Sequence, residues 1–142
     1  MSSVLQNSIS LKTNFKKVLF PEYYKNIFKT SSHLFFCDFQ GGVYTIEGDK
    51  ETLFADFKQT NSELVNVFEI AKNDFIFIFK NGQVWSKKEA TTKNVANLKS
   101  IVINTVIRNK NEELVIGTNQ NGIYVFVMDL KGERIAKKVI KN

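Results

Sequence analysis

Cysteine, histidine and proline each occur once in this sequence, as Cys37, His33 and Pro21. A single thiol forms no disulfide within the chain and no thiolate metal cage. A single imidazole excludes most histidine-based metal sites, so neither a metal nor another cofactor is expected. Long hydrophobic runs are missing too. None approaches the roughly 20 residues of a membrane-spanning helix, and no membrane insertion is expected. Residues 1–11 lack the basic stretch and following apolar segment of a secretory signal. The chain as it stands is therefore expected in the cytoplasm, or in the periplasm if it is a fragment of a longer sensor.

Arginine is scarce, with Arg108 and Arg134 as the only two of twenty basic residues. The formal net charge of +6 suggests nucleic acid, but its distribution argues otherwise. Lysines 12, 16, 17, 25 and 29 crowd the first thirty residues, and Lys131, Arg134, Lys137, Lys138 and Lys141 crowd the last fourteen. The body between is close to neutral. A nucleic-acid groove places its charge on the folded body, rich in arginine and interleaved with aromatics, so no nucleic-acid partner is expected.

What the chain does have is apolar and aromatic content. Its 142 residues are 43% hydrophobic and 13% aromatic, too apolar for disorder and enough for one folded domain over 1–142. Val, Ile, Phe and Tyr alternate with polar residues, and helical periodicity is poor, which predicts an all-β fold. The segment Leu34 to Tyr44 matches Leu114 to Tyr124, and Phe75 to Trp85 lies between them. Gly42, Gly82 and Gly122 follow the three apolar runs and are expected to supply the positive φ of hairpin turns. Asn26, Asn66 and Asn104 each open a preceding strand. Repeat units fall at approximately 24–58, 64–100 and 102–141, with 15–23 as an extra trailing strand. Four short strands per unit of about 40 residues is the pattern of propeller blades. The expected architecture is a partial β-propeller of about three four-stranded antiparallel blades, with a β-sandwich as the alternative.

The third unit resembles a known family. Glu113-Leu114-Val115-Ile116-Gly117-Thr118 followed by Asn121-Gly122-Ile123-Tyr124 is similar to the two-component regulator propeller repeat, with Val115 where that repeat usually has Trp. The first two units carry Phe36-Cys37-Asp38 and Ile76-Phe77-Ile78 in place of its Ile-Gly-Thr core. The resemblance implies a propeller that senses or binds ligands.

Catalytic patterns are weak. His33 and Cys37 lie about 13 Å apart along a strand, on one face but out of contact. Glu112 and Glu113 are adjacent in a turn, where side chains diverge. No phosphate loop or nucleophile elbow is present, so the protein is not expected to be an enzyme. Asp38 is either a buried acid or a solvated strand residue. Tyr44, Trp85 and Tyr124 are expected between blades, and Lys87, Lys88, Lys137 and Lys138 at outer edges. The expected function is a non-enzymatic binding or sensory module, with Asn26, Asn66 and Asn104 on the ligand-binding rim and a small molecule or protein as partner. The alternative is a protein–protein inhibitor or immunity-type partner acting through a β surface. Three units leave apolar end faces, expected to be lined by residues such as Phe28, Phe36 and Ile116. Self-association, or membership of a longer chain, would cover them.

Overall fold

The computed structural model describes residues 24–98, 101–119, 122–128 and 134–140. The expected strand over 15–23 lies outside these. Among the described residues, twelve strands form three antiparallel sheets, each with its strands side by side in chain order. The first holds β1 (Tyr24–Lys29), β2 (Leu34–Asp38), β3 (Gly42–Glu47) and β4 (Lys50–Asp56). The second holds β5 (Leu64–Ala71), β6 (Asp74–Phe79), β7 (Gln83–Lys88) and β8 (Thr91–Asn97). The third holds β9 (Ile103–Arg108), β10 (Leu114–Thr118), β11 (Ile123–Met128) and β12 (Arg134–Ile140). A 3-10 turn, Lys58–Thr60, joins the first two sheets. There is no α-helix among the described residues. The fold is all-β, with three sheets where a sandwich has two.

The central strand β6 explains how the sheets pack. Every residue of it is buried. Side chains alternate across a strand, so Phe75, Phe77 and Phe79 face the first sheet while Ile76 and Ile78 face the third. The first interface is aromatic: Phe77 meets Phe57 at 4.7 Å between ring centroids, and Phe75 meets Phe54 at 5.3 Å. Lys87 Nζ sits 5.0 Å over the Phe54 ring. The second interface is aliphatic, with Ile76, Ile78 and Val84 against Ile103, Val106, Leu114 and Ile116. The first strands converge, β1 against β5 and β5 against β9.

Register corrects several expectations. Positive φ falls at Gly41 (97°), Gly82 (93°) and Gly122 (87°) and skips Gly42. Gly41 is the counterpart of Gly82, since their carbonyls accept from Phe57 and Leu98 N–H, each at 2.8 Å. Gly42 instead begins β3. Tyr44, Trp85 and Tyr124 pair with Phe36, Phe77 and Ile116, so the three occupy equivalent positions. Trp85 packs against the aromatic core and Tyr124 against the aliphatic one. Phe28 and Ile116 also belong to these two cores, so neither lines an end face. The parity of the strands turns them inward and turns Ile27, Leu53 and Ile107 outward. Lys87 and Lys88 end β7, an interior strand, and do not guard a sheet edge.

Candidate functional site

The three asparagines separate into two roles. Each first strand opens with a bulge, at Tyr24/Asn26, at Leu64/Asn66 and opposite Gly117/Thr118. A bulge adds one residue and locally disrupts the ladder. Asn26 pairs with Cys37, Asn66 with Ile78 and Thr105 with Gly117. Asn104 is therefore the bulged residue, and Thr105 is the true counterpart of Asn26 and Asn66. Asn66 turns toward the third sheet. Its Oδ1 accepts from Val67 N–H at 2.8 Å, and its Nδ2 donates to Val106 O of the neighbouring strand at 3.4 Å. This amide fastens β5 to β9.

Asn26 and Asn104 instead line one cavity of about 210 Å³, together with Phe28, Glu63, Val65 and Lys80. The cavity sits where β1, β5 and β9 begin. Backbone bonds fix its wall: Lys80 N–H donates to Glu63 O at 2.8 Å, and Lys80 O accepts from Ile103 N–H at 2.8 Å. Asn81 braces the same turn, with N–H to Ser62 Oγ at 3.0 Å and Nδ2 to Thr60 O at 3.1 Å. Two amides, each both donor and acceptor, thus share a pocket with one cationic and one anionic residue. Glu63 and Lys80 carried no signal in the sequence, because the hairpin that brings Lys80 to the rim comes from the adjoining sheet.

At the opposite end of the first strands lies a second polar cluster. The turn Thr30–His33 meets Glu69 of β5. Ser32 Oγ donates to Glu69 Oε1 at 2.6 Å, and Ser32 N–H donates to the same oxygen at 3.1 Å. His33 Nδ1 lies 2.6 Å from Ser32 Oγ. The serine has one proton, and it goes to the carboxylate, so Nδ1 must carry its own and donate. The order is therefore carboxylate, hydroxyl, imidazole. A serine nucleophile needs the imidazole between the other two, whereas this order holds a turn. The His33 ring is stacked on Phe35 at 5.3 Å and edge-on to Phe75 at 5.2 Å. Burial alone would raise the Glu69 carboxyl, but hydrogen bonds from the Ser32, Thr30 and Ser31 hydroxyls and the Ser32 N–H outweigh it and hold the group below 4.5.

A lowered carboxyl contributes stability above its unfolded value, and that contribution disappears as pH falls through the folded value. Glu69→Gln is therefore expected to lower the thermal midpoint at neutral pH, with the gap to the parent closing on acidification below 4.5. The effect is small because the contacts are exposed. A constant gap across a pH series of melting curves would assign the loss to shape and not to charge.

The other singled-out groups organise structure. Cys37 is a free buried thiol. Burial, with the Asp38 carboxylate adding to it, pushes it up to about 12, so it carries no thiolate near neutrality. Asp38 is neither a buried acid nor simply solvated. Its Oδ1 accepts from Gln40 and Gly42 N–H, each at 2.8 Å, and Tyr44 Oη donates to Oδ2 at 3.4 Å. Glu112 pairs with Arg108 at 2.6 Å, while Glu113 accepts from Asn109 Nδ2 at 2.8 Å. Among the described residues, no group of three His, Cys, Asp or Glu side chains is arranged to hold a metal, and no helix is long and apolar enough to cross a membrane. No protein-family model matches the chain, and no curated protein matches it in sequence.

Proposed function

We propose that the protein is a non-enzymatic binding module of propeller type, in which the three sheets are successive blades and a small polar ligand sits where the first strands begin. The observation that carries this reading is the shared cavity of Asn26 and Asn104, contributed by the first and third repeats. The family resemblance of the third repeat points the same way, toward a ligand-sensing role. A cavity of about 210 Å³ has the volume of about seven liquid waters, below the usual range for drug-sized ligands. It suits a molecule of amino-acid size. Lys80 would meet an anionic group, with the two amides orienting the ligand's other polar atoms.

The test is nuclear magnetic resonance titration of the full chain with a panel of free amino acids, small dicarboxylates and monosaccharides. We expect one class to shift the side-chain amide signals of Asn26 and Asn104. Asn26→Ala and Asn104→Ala should abolish the shifts with the thermal midpoint unchanged. Asn66→Ala should keep them while costing about 1–2 kcal/mol, since it strands the Val67 N–H. A rim that responds to none of the panel, or an Asn26→Ala variant as destabilised as Asn66→Ala, would return all three asparagines to a structural role.

A further inference from the structure

The first two sheets enclose a second cavity, at the end of the molecule opposite the rim. Hairpin turns of both sheets surround it: β1–β2 and β3–β4 of the first, β5–β6 and β7–β8 of the second. Its volume is about 220 Å³, and His33, Thr45, Phe54, Asn73, Phe75 and Lys87 are among the residues that line it. The floor is three rings in mutual contact. His33 lies 5.4 Å from Phe54 and 5.2 Å from Phe75, and the two phenylalanines are 5.3 Å apart.

The polar groups around this floor have hydrogen-bonding capacity to spare. Thr45 is only 8% exposed, yet its hydroxyl makes no hydrogen bond among the described residues. Buried polar side chains in folded proteins are nearly always paired, and one left unpaired costs stability. Lys87 Nζ donates to Glu89 O at 2.7 Å and rests 5.0 Å over the Phe54 ring. An ammonium has three donors, so two remain. The Asn73 side-chain amide is also unbonded among the described residues. Charge in the cavity is sorted by depth. Thr45 is buried and Lys87 half-buried, whereas the carboxylates of Glu47 and Glu89, which also line the cavity, belong to exposed residues. Water screens the exposed carboxylates, while a partly desolvated ammonium acts through a lower dielectric.

We infer that this cavity is a second binding site, for a small organic monoanion: a carboxylate whose oxygens accept from Lys87 Nζ and Thr45 Oγ1 and whose apolar body lies against Phe54 and Phe75. The volume equals about seven liquid waters, which gives room for a single ring bearing one carboxylate. Lys87 repels a cationic ligand. Glu47 and Glu89 at the edge repel a second negative charge, so a dianion is disfavoured. The site stands apart from the rim, because no residue lines both cavities, and it does not depend on a ligand being bound there.

The experiment is nuclear magnetic resonance titration of the full chain with benzoate, with benzylammonium as the cationic comparison and phthalate as the dianionic one. We expect benzoate to shift the Asn73 side-chain amide and the Thr45 backbone amide, leave the Asn26 and Asn104 side-chain amides in place, and bind more tightly than either comparison. Lys87→Met keeps an apolar stem over Phe54 and removes the charge. It should weaken benzoate at least about tenfold, the loss of a hydrogen bond from a charged donor, whereas Lys88→Met, at the exposed next residue, should not. Thr45→Val keeps the shape and should weaken benzoate about three- to tenfold. It should also raise the thermal midpoint of the free protein, because a buried unpaired hydroxyl becomes a methyl. A hydroxyl bonded within the fold would give a lower midpoint, which overturns the inference. So does benzoate that shifts nothing or shifts the rim amides instead, benzylammonium or phthalate binding as tightly as benzoate, or binding that survives Lys87→Met.

Discussion

Phe77→Ala should cost about 3–5 kcal/mol, the range for truncating a fully buried phenylalanine, and leave the protein partly or wholly unfolded at room temperature. A domain has only about 5–15 kcal/mol to lose. The ring has no solvent exposure. It packs at 4.7 Å from Phe57 and within 6.5 Å of Phe35, Phe54 and Phe75, and edge-to-face aromatic pairs contribute beyond their buried area. Its strand is flanked by sheets on both sides, so the hole cannot fill by a shift toward solvent. Urea denaturation followed by far-ultraviolet circular dichroism reads the loss. Ile107→Ala, at a position 58% exposed, is the control and should leave the midpoint nearly in place. Equal effects at the two sites would mean that β6 is not the centre of the core.

Gly82→Ala is the second large effect expected, and its cause is steric. Gly82 has φ of 93°, and its carbonyl accepts from Leu98 N–H at 2.8 Å. A Cβ here would collide with the Leu98 carbonyl oxygen and lie 3.0 Å from its carbon. The obstacle is backbone, held by the very hydrogen bond that the turn makes, so no rotamer change relieves it. Left-handed strain of about 1–2 kcal/mol adds to a displacement of the end of β8, and we expect a total of about 3–4 kcal/mol. Gly41 stands in the same relation to Phe57, with the carbonyl oxygen at 2.7 Å. Gly48→Ala separates the two contributions. That glycine has φ of 68° with nothing within 4 Å, so only the strain, about 1 kcal/mol, should appear. A Gly82→Ala variant no worse than Gly48→Ala would show that the turn yields easily.

The all-β character was legible because Phe75 to Phe79 and its two counterparts state it directly: β-branched and aromatic residues in short runs between turn residues. Finer placement was not legible where the backbone adds or drops a residue. The bulge before Thr105 moves Asn104 out of line with Asn66, and nothing in the letters distinguishes a bulged asparagine from a paired one. The doublet Gly41-Gly42 offers two candidates for one left-handed position, and the match in spacing favours the wrong one. Face assignment depends on the same parity, so Phe28 and Ile116 were expected outside and are found inside. The rim and the Ser32–Glu69 contact join different sheets. Such proximity follows from how the sheets stack, which no local pattern encodes.

The plain chain-order sequence of strands in each sheet has a kinetic consequence. Every ladder joins strands that are neighbours in the chain, so each loop closed during folding is short and its entropic cost is low. Among the described residues, no strand waits for a distant partner. Long-range order is confined to the stacking of finished sheets, which places the chain among the faster β architectures for its size. It also gives the chain the nearest-neighbour energetics of repeat proteins, in which each unit is stabilised only by those beside it. Among the described sheets, the middle one has two such neighbours and each of the others has one. A ribosome delivers the sheets one at a time, and each can zip from its own hairpins before the next emerges.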